Sequence, residues 1–174
     1  MRENLLPTLC KSELQRPDHM VMNIRPATPA DAAAISALMH SLSHHVLANP
    51  TGPDSEAFFA ATSPARRAED IAEASRLFLV SHDSQGLAGF ISLKNGTRIS
   101  QFFVDPRHQS QGLGRRLWDE AQRRAGIGEG TEVTVDSSRG AVAVYERFGF
   151  AAVGPAKQEG GVIFVPMCRL AALD

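Results

Sequence analysis

The residues most able to do chemistry sit between Phe103 and Arg116, in the string FVDPRHQSQGLGRR. An apolar run stops at Pro106, the chain must turn, and a helix opens among glycines. Several backbone N–H groups without intrahelical partners therefore converge at the positive end of a helix dipole. Such a corner is an anion site: glycine lets the backbone approach a ligand, and Arg107, Arg115 and Arg116 add cationic side chains. Residues 98–124 hold six arginines against three acids, 6 − 3 = +3, in a chain whose total charge is −1, so the basic character is local. The string lacks G-x-x-x-x-G-K-[ST], which excludes a P-loop. A dinucleotide fingerprint fails as well, because Leu117 stands where the last small residue should be. What remains is Gln109-x-x-Gly112-x-Gly114.

Tyr145 is the only tyrosine. With Ala141, Val144 and Phe148 it keeps the spacing of a core-facing helical stripe, which by itself favours packing over catalysis. His44 and His45 follow a helix, a pattern that by itself reads as a solvated helix end. His108 is read as a local packing or phosphate-side residue. Asp119–Arg123 and Glu120–Arg124 have the i, i+4 spacing of surface ion pairs, whereas Arg115 and Arg116, opposed by the dipole at the helix start, suit an anion. Trp118 is assigned to the core. Two cysteines, Cys10 and Cys168, without C-x-x-C spacing, offer neither a disulfide framework nor a zinc site, and no metal is expected.

The elements that must position these residues follow from length and pattern. At 174 residues, 43% hydrophobic and 21% charged, the chain suits one globular domain. It has no apolar run long enough to span a membrane and no signal-peptide core, so the expectation is a cytoplasmic protein without a membrane partner. Residues 1–22 show no sustained period and are read as a flexible leader, with the domain over 23–174. A short strand at 23–27 leads to Thr28-Pro29-Ala30-Asp31, a helix start with a capping hydroxyl, Pro and an acid three residues on. Ile35, Leu38, Met39, Leu42 and Val46 continue as one apolar stripe. Short helices are expected at 54–62 and 64–75, the second with Arg66, Arg67, Glu69 and Asp70 outward. Strands at 77–81, 87–93 and 99–104 form hairpins, Asn95-Gly96 marking a tight primed turn; Asn95-Gly96-Thr97 is also a glycosylation sequon, which the missing secretory signal disfavours. A helix at 112–125, a strand at 132–135, a helix at 140–148 and strands near 150–153 and 162–167 complete the chain. The fold class is α/β (α+β): a mixed, mostly antiparallel sheet of about 6–7 strands flanked by about 4–5 helices.

Gln109-x-x-Gly112-x-Gly114 resembles the Q/R-x-x-G-x-G/A signature of the GNAT N-acetyltransferase superfamily. A second block, VDSSRGAVAVYERFGF over 135–150, is similar to that family's next segment with its Y-E-x-x-G-F ending. Ile24-Arg25-Pro26-Ala27 and the strand around Phe164–Met167 extend the resemblance over about residues 23–169. It implies acetyl-CoA as co-substrate, with the pyrophosphate on the backbone of Gln111, Gly112, Leu113 and Gly114, and with Gln109 and Ser110 shaping the loop and Arg115 beside it. Phe102, Phe103 and Val104 would pair with the pantetheine arm and supply an oxyanion donor. Tyr145 would protonate the departing thiolate. Ser138 stands where many members carry asparagine and would keep a cofactor contact. The fourth strand has no carboxylate, which leaves His44, His45 or water as base. A small-molecule amine is the expected acceptor, with a protein lysine or N-terminus as the alternative, and homodimers are frequent in the family. A coenzyme A-binding sensor or scaffold without turnover stays open, and a nucleic-acid partner for the 98–124 arginines is not expected.

Overall fold

The structure, a computed structural model, describes residues 23–170, so the expected 1–22 leader lies outside the described residues. After β1 (Ile24–Pro26) come α1 (Ala32–Ser41), α2 (Pro53–Ala61) and α3 (Pro64–Ala72), then a meander of β2 (Arg76–Asp83), β3 (Gly86–Lys94) and β4 (Arg98–Val104). The chain continues as α4 (Leu113–Ala125), β5 (Glu132–Ser137), α5 (Val142–Arg147), β6 (Ala151–Ala152), β7 (Lys157–Glu159) and β8 (Val162–Leu170). Strand order is β1-β2-β3-β4-β5-β8-β6, with β7 paired to β8. Only the β4–β5 contact is parallel among these pairings. This is the mixed, mostly antiparallel α/β sheet expected, with one strand more than the sequence suggested. The addition is β7, whose Lys157-Gln158-Glu159 are all exposed and so carry no apolar alternation to reveal it. No helix among the described residues is long and apolar enough to cross a membrane.

Alternating side chains along the meander feed two apolar layers. Leu79, Ile91, Leu93 and Ile99 meet Leu113, Leu117, Trp118 and Ala121 of α4 and Tyr145 of α5. Phe78, Val80 and Phe90 meet Ile35, Leu38, Met39 and Leu42 of α1 on the other face. Asn95 and Gly96 both have positive φ, 52° and 75°, as the primed turn between β3 and β4 requires. Gly89 answers a close approach: a Cβ there would stand 3.0 Å from the Phe103 carbonyl oxygen and 3.3 Å from Leu117.

The sheet forks where the site will lie. β4 and β5 pair only at Arg98↔Thr134 and Ile99↔Val135. On the β3 side the register passes from Leu93↔Ile99 to Ser92↔Gln101, so Ser100 is an extra residue. Such a bulge bends its strand and raises its twist, and here it turns the rest of β4 away from β5. Arg98 and Asp136 form an ion pair across the two strands at the apex.

Two local expectations are corrected. The α1 stripe does not run to Val46: the helix ends at Ser41, a 3-10 turn follows at Ser43–His45, and Val46–Ala48 joins the start of β8. There the Ala48 N–H donates to the Gly161 carbonyl at 2.9 Å and the Ile163 N–H to the Val46 carbonyl at 3.1 Å. Arg67 and Asp70 do not face outward. Both are buried and paired at 2.6 Å, and Arg67 Nη2 also donates to the Ala61 carbonyl at 2.8 Å. Their spacing reads as a solvated face because pattern alone cannot distinguish two exposed charges from two that neutralise one another inside.

Asp31 fastens the first turn to β1. Its carboxylate accepts from both terminal nitrogens of Arg25 at 2.8 Å and from the Thr28 N–H at 2.8 Å. The Arg25 guanidinium is the main cause that holds its pKa down at about 2. A carboxylate whose pKa falls on folding stabilises the fold above its unfolded pKa, and that contribution disappears as pH drops through the folded value. Asp31→Asn is expected to cost about 1–2 kcal/mol at neutral pH, discounted for Arg25's exposure. It should also flatten the fall in stability between roughly pH 5 and pH 2, measured by urea unfolding across that range.

Candidate functional site

The loop joining β4 to α4 is built by its own side chains. The Asp105 carboxylate accepts from the Arg107 N–H at 2.9 Å and caps a 3-10 turn at Pro106–His108. Gln109 Nε2 donates to the Val104 carbonyl at 3.0 Å, and Gln111 Nε2 to the Arg107 carbonyl at 2.7 Å. Ser110 and Gly112 take left-handed conformations, φ 60° and 83°, and alternation of this kind folds a backbone into an anion-binding concavity. Among the described residues nothing accepts a hydrogen bond from the N–H groups of Ser110 to Gly114. The N-terminal dipole of the 13-residue α4 adds its partial positive charge. The structure thus brings Gln109, Ser110, Gln111, Gly112, Leu113 and Gly114 together. The Leu113 side chain is locked in the core, so only its backbone can serve a ligand.

The arginines are more occupied than their number suggests. Arg107 does not stand as a loose cation at the mouth: its Nε and Nη2 each lie 3.0 Å from Asp105, and Nη1 contacts Gln85. Arg115 Nε reaches Asp119 at 3.0 Å, and its guanidinium lies 5.8 Å from the centre of the Phe148 ring. Asp119 is therefore not the partner of Arg123, which joins Arg124 on Glu120 instead. The two arginines hold the Glu120 carboxyl at about 2. These pairings set Arg107, Arg115, Arg123 and Arg124 each against a carboxylate.

Beyond the fork, Phe102, Phe103 and Val104 pair with β3 through Ile91, Phe90 and Gly89, while their other edge has no partner in β5. Main-chain groups on that edge can take an extended ligand as a further strand. Phe102 and Val104 face the α4 layer, whereas Phe103 packs on the α1 side. Tyr145 lies beside this open segment, its ring 6.3 Å from Phe102, 6.4 Å from Phe148 and 5.5 Å from Phe150. It is 6% exposed, and among the described residues its hydroxyl has no hydrogen-bond partner. Burial pushes the phenol pKa well above its usual range, so the proton stays on the oxygen. The ring belongs to the core, and the hydroxyl is unspent. Ser138 opens the turn into α5, its carbonyl accepting from Ser137 Oγ at 2.8 Å and from the Ala141 N–H at 3.0 Å. His44 and His45 are exposed, with rings 4.0 Å apart. No group of His, Cys, Asp and Glu suited to a metal occurs among the described residues.

Asp83 and Gln85 were missed by sequence reasoning. They reach the loop from the β2–β3 turn, Asp83 onto His108 and Gln85 onto Arg107. Over twenty residues separate each pair, and no spacing rule signals such a contact.

Comparison with known proteins gives this geometry a family. The acetyltransferase (GNAT) domain model matches residues 37–170, while no curated protein matches the chain. A GCN5-related N-acetyltransferase from Rhodopseudomonas palustris is 25% identical with a TM-score of 0.68, covering 87% of this chain and 99% of its own. PaiA N-acetyltransferase from Thermoplasma acidophilum, solved in complex with coenzyme A, superposes with a TM-score of 0.71 at 18% identity, over 87% of this chain and 99% of that one. An aminoglycoside 6'-N-acetyltransferase complexed with coenzyme A gives a TM-score of 0.63 at 14% identity, over 88% and 99%. Since the family model spans well over half of its length, the chain belongs to the GNAT acetyltransferases.

Proposed function

We propose that this enzyme moves an acetyl group from acetyl-CoA to a primary amine of a small molecule, by direct attack within a ternary complex. The observation that carries the reading is the run of unpartnered N–H groups from Ser110 to Gly114 at the start of α4. The donor set fits a diphosphate, which needs several convergent hydrogen bonds and no metal. The open edge of β4 from Phe102 to Val104 fits the amide-bearing arm that would follow it. Acetyl-CoA supplies the activated thioester.

The chain's own residues do the rest. An N–H of the open β4 edge faces the carbonyl oxygen and steadies the negative charge that grows there; such a donor is typically worth about 10²–10³ in rate. The amine nitrogen forms the C–N bond, the C–S bond breaks, and Tyr145 gives its hydroxyl proton to the departing sulfur. The amine's surplus proton passes to water or to His44 or His45, because the open segment of β4 offers Gln101 and no carboxylate.

That lack of a carboxylate is also what favours a second reading, a coenzyme A-binding module without turnover. Calorimetry with coenzyme A, followed by thiol release from acetyl-CoA over a panel of diamines, amino sugars, aminoglycosides and peptide N-termini, separates the two. Thiol release with a small amine supports the enzyme. Uptake of coenzyme A with no thiol from any amine supports the module, a peptide-only response shifts the acceptor to protein, and no uptake defeats both readings.

A further inference from the structure

We infer that Asp83 is a positioning residue for the phosphate loop, acting through His108. The proposal rests on the reading of that loop as the diphosphate cradle. The loop's left-handed Ser110 and Gly112 begin two residues after His108, so whatever orients His108 sets where the cradle starts. His108 is mostly enclosed, its side chain 14% exposed, and its Nδ1 is buried without a partner. Its one side-chain hydrogen bond runs from Nε2 to Asp83 Oδ2, at 2.7 Å. A carboxylate can only accept, so Nε2 carries the hydrogen and the ring's orientation depends on Asp83.

Asp83 is itself well placed to act as a fixed anchor. Its side chain is 8% exposed, and Oδ1 accepts from the Gln85 N–H at 2.7 Å, which pins the carboxylate to the β2–β3 turn. Arg107 Nη1 lies 3.7 Å from Oδ2 and also contacts Gln85, so both residues just ahead of Gln109 lean on the same turn. The Asp83 carboxyl is held below its usual range, first by the Gln85 N–H and then by His108, which keeps it an acceptor. The β2–β3 turn, remote in sequence and outside the motif, thus becomes the footing of the cradle.

The test uses the full-length protein. Calorimetry with coenzyme A is run on Asp83→Ala, His108→Ala, the double variant and His108→Gln, whose amide N–H can still reach the carboxylate. Each alanine variant is expected to weaken coenzyme A binding roughly tenfold, with the double variant no worse than either single one. His108→Gln should return to within about threefold of the parent. In steady-state assays with any amine that the parent accepts, KM for acetyl-CoA rises and kcat does not change. Independently of the ligand, heteronuclear NOE values of the 109–114 amides are expected to fall in Asp83→Ala while those of the β2–β4 strands stay put. Unchanged NOE values, unaltered affinity in either alanine variant, or additive losses in the double variant would overturn the assignment. If the parent itself takes up no coenzyme A, the cradle reading fails instead, and the NOE comparison still decides the role of Asp83.

Discussion

Tyr145→Phe is expected to lower kcat by about a hundredfold or more, with the affinity for coenzyme A and the melting temperature close to the parent values. The separation follows from how the side chain is used. Its ring is enclosed by Phe102, Phe148 and Phe150, and a phenylalanine keeps those edge-on contacts. Its hydroxyl holds no hydrogen bond among the described residues, so deleting it removes no structural bond. Burial keeps the phenol protonated far above neutral pH. The loss in turnover should therefore be the same from mildly acidic to mildly alkaline conditions, as fits a donor that never empties in that interval. Initial rates of thiol release as a function of pH make the measurement. A variant with parental kcat at every pH would show that the tyrosine only packs.

Gly112→Val should all but eliminate coenzyme A binding, with Kd rising about a hundredfold or more, while the fold loses only about 1–2 kcal/mol. Gly112 sits at φ 83°, a region where a side chain is strained and a β-branched one most of all. Nothing of the protein lies within 4 Å of a Cβ built there, so the new methyl groups enter open space rather than the core, and the strain falls on the backbone that aims the N–H groups. Gly114 provides the contrast. Its Cβ would meet Phe102 at 3.6 Å and Val104 at 3.8 Å, ordinary contact distances inside a helix. Gly114→Ala should bind coenzyme A nearly as the parent does. Calorimetry on both variants, with urea unfolding to confirm that each is folded, separates a ligand effect from a folding effect. Equal affinity in Gly112→Val would remove the loop from the binding site.

What could be read from the chain was whatever chemistry writes into neighbouring residues. Asn95-Gly96 announces its turn because two successive positive φ values are needed there. The stretch 109–114 is legible because backbone donors at a helix start need glycine next to them. The ring of Tyr145 could be placed in the core by helical spacing, and its idle hydroxyl only by the folded structure. Ser110 in a left-handed conformation leaves no mark in its residue type. The grip of Asp83 on His108 and the burial of Arg67 with Asp70 depend on chain segments meeting in space, and a charged side chain looks alike in a string whether it meets water or a partner. β7 and the departure of Val46 from α1 were hidden for a related reason. Both are stabilised by pairing with β8, a long-range contact that outweighs weak local preference.

The fork between β4 and β5 is not a loose pair of jaws. Its apex is stitched at Arg98 and Ile99, and the β8 strand that backs β5 is itself braced at its head, where Val46–Ala48 leaves the α1 side to pair with Gly161–Ile163. An arm braced in this way holds its place before any guest arrives, because moving the head of β8 means breaking main-chain bonds. Little of the binding free energy then has to go into shaping the slot, and the guest meets an opening already cut to size.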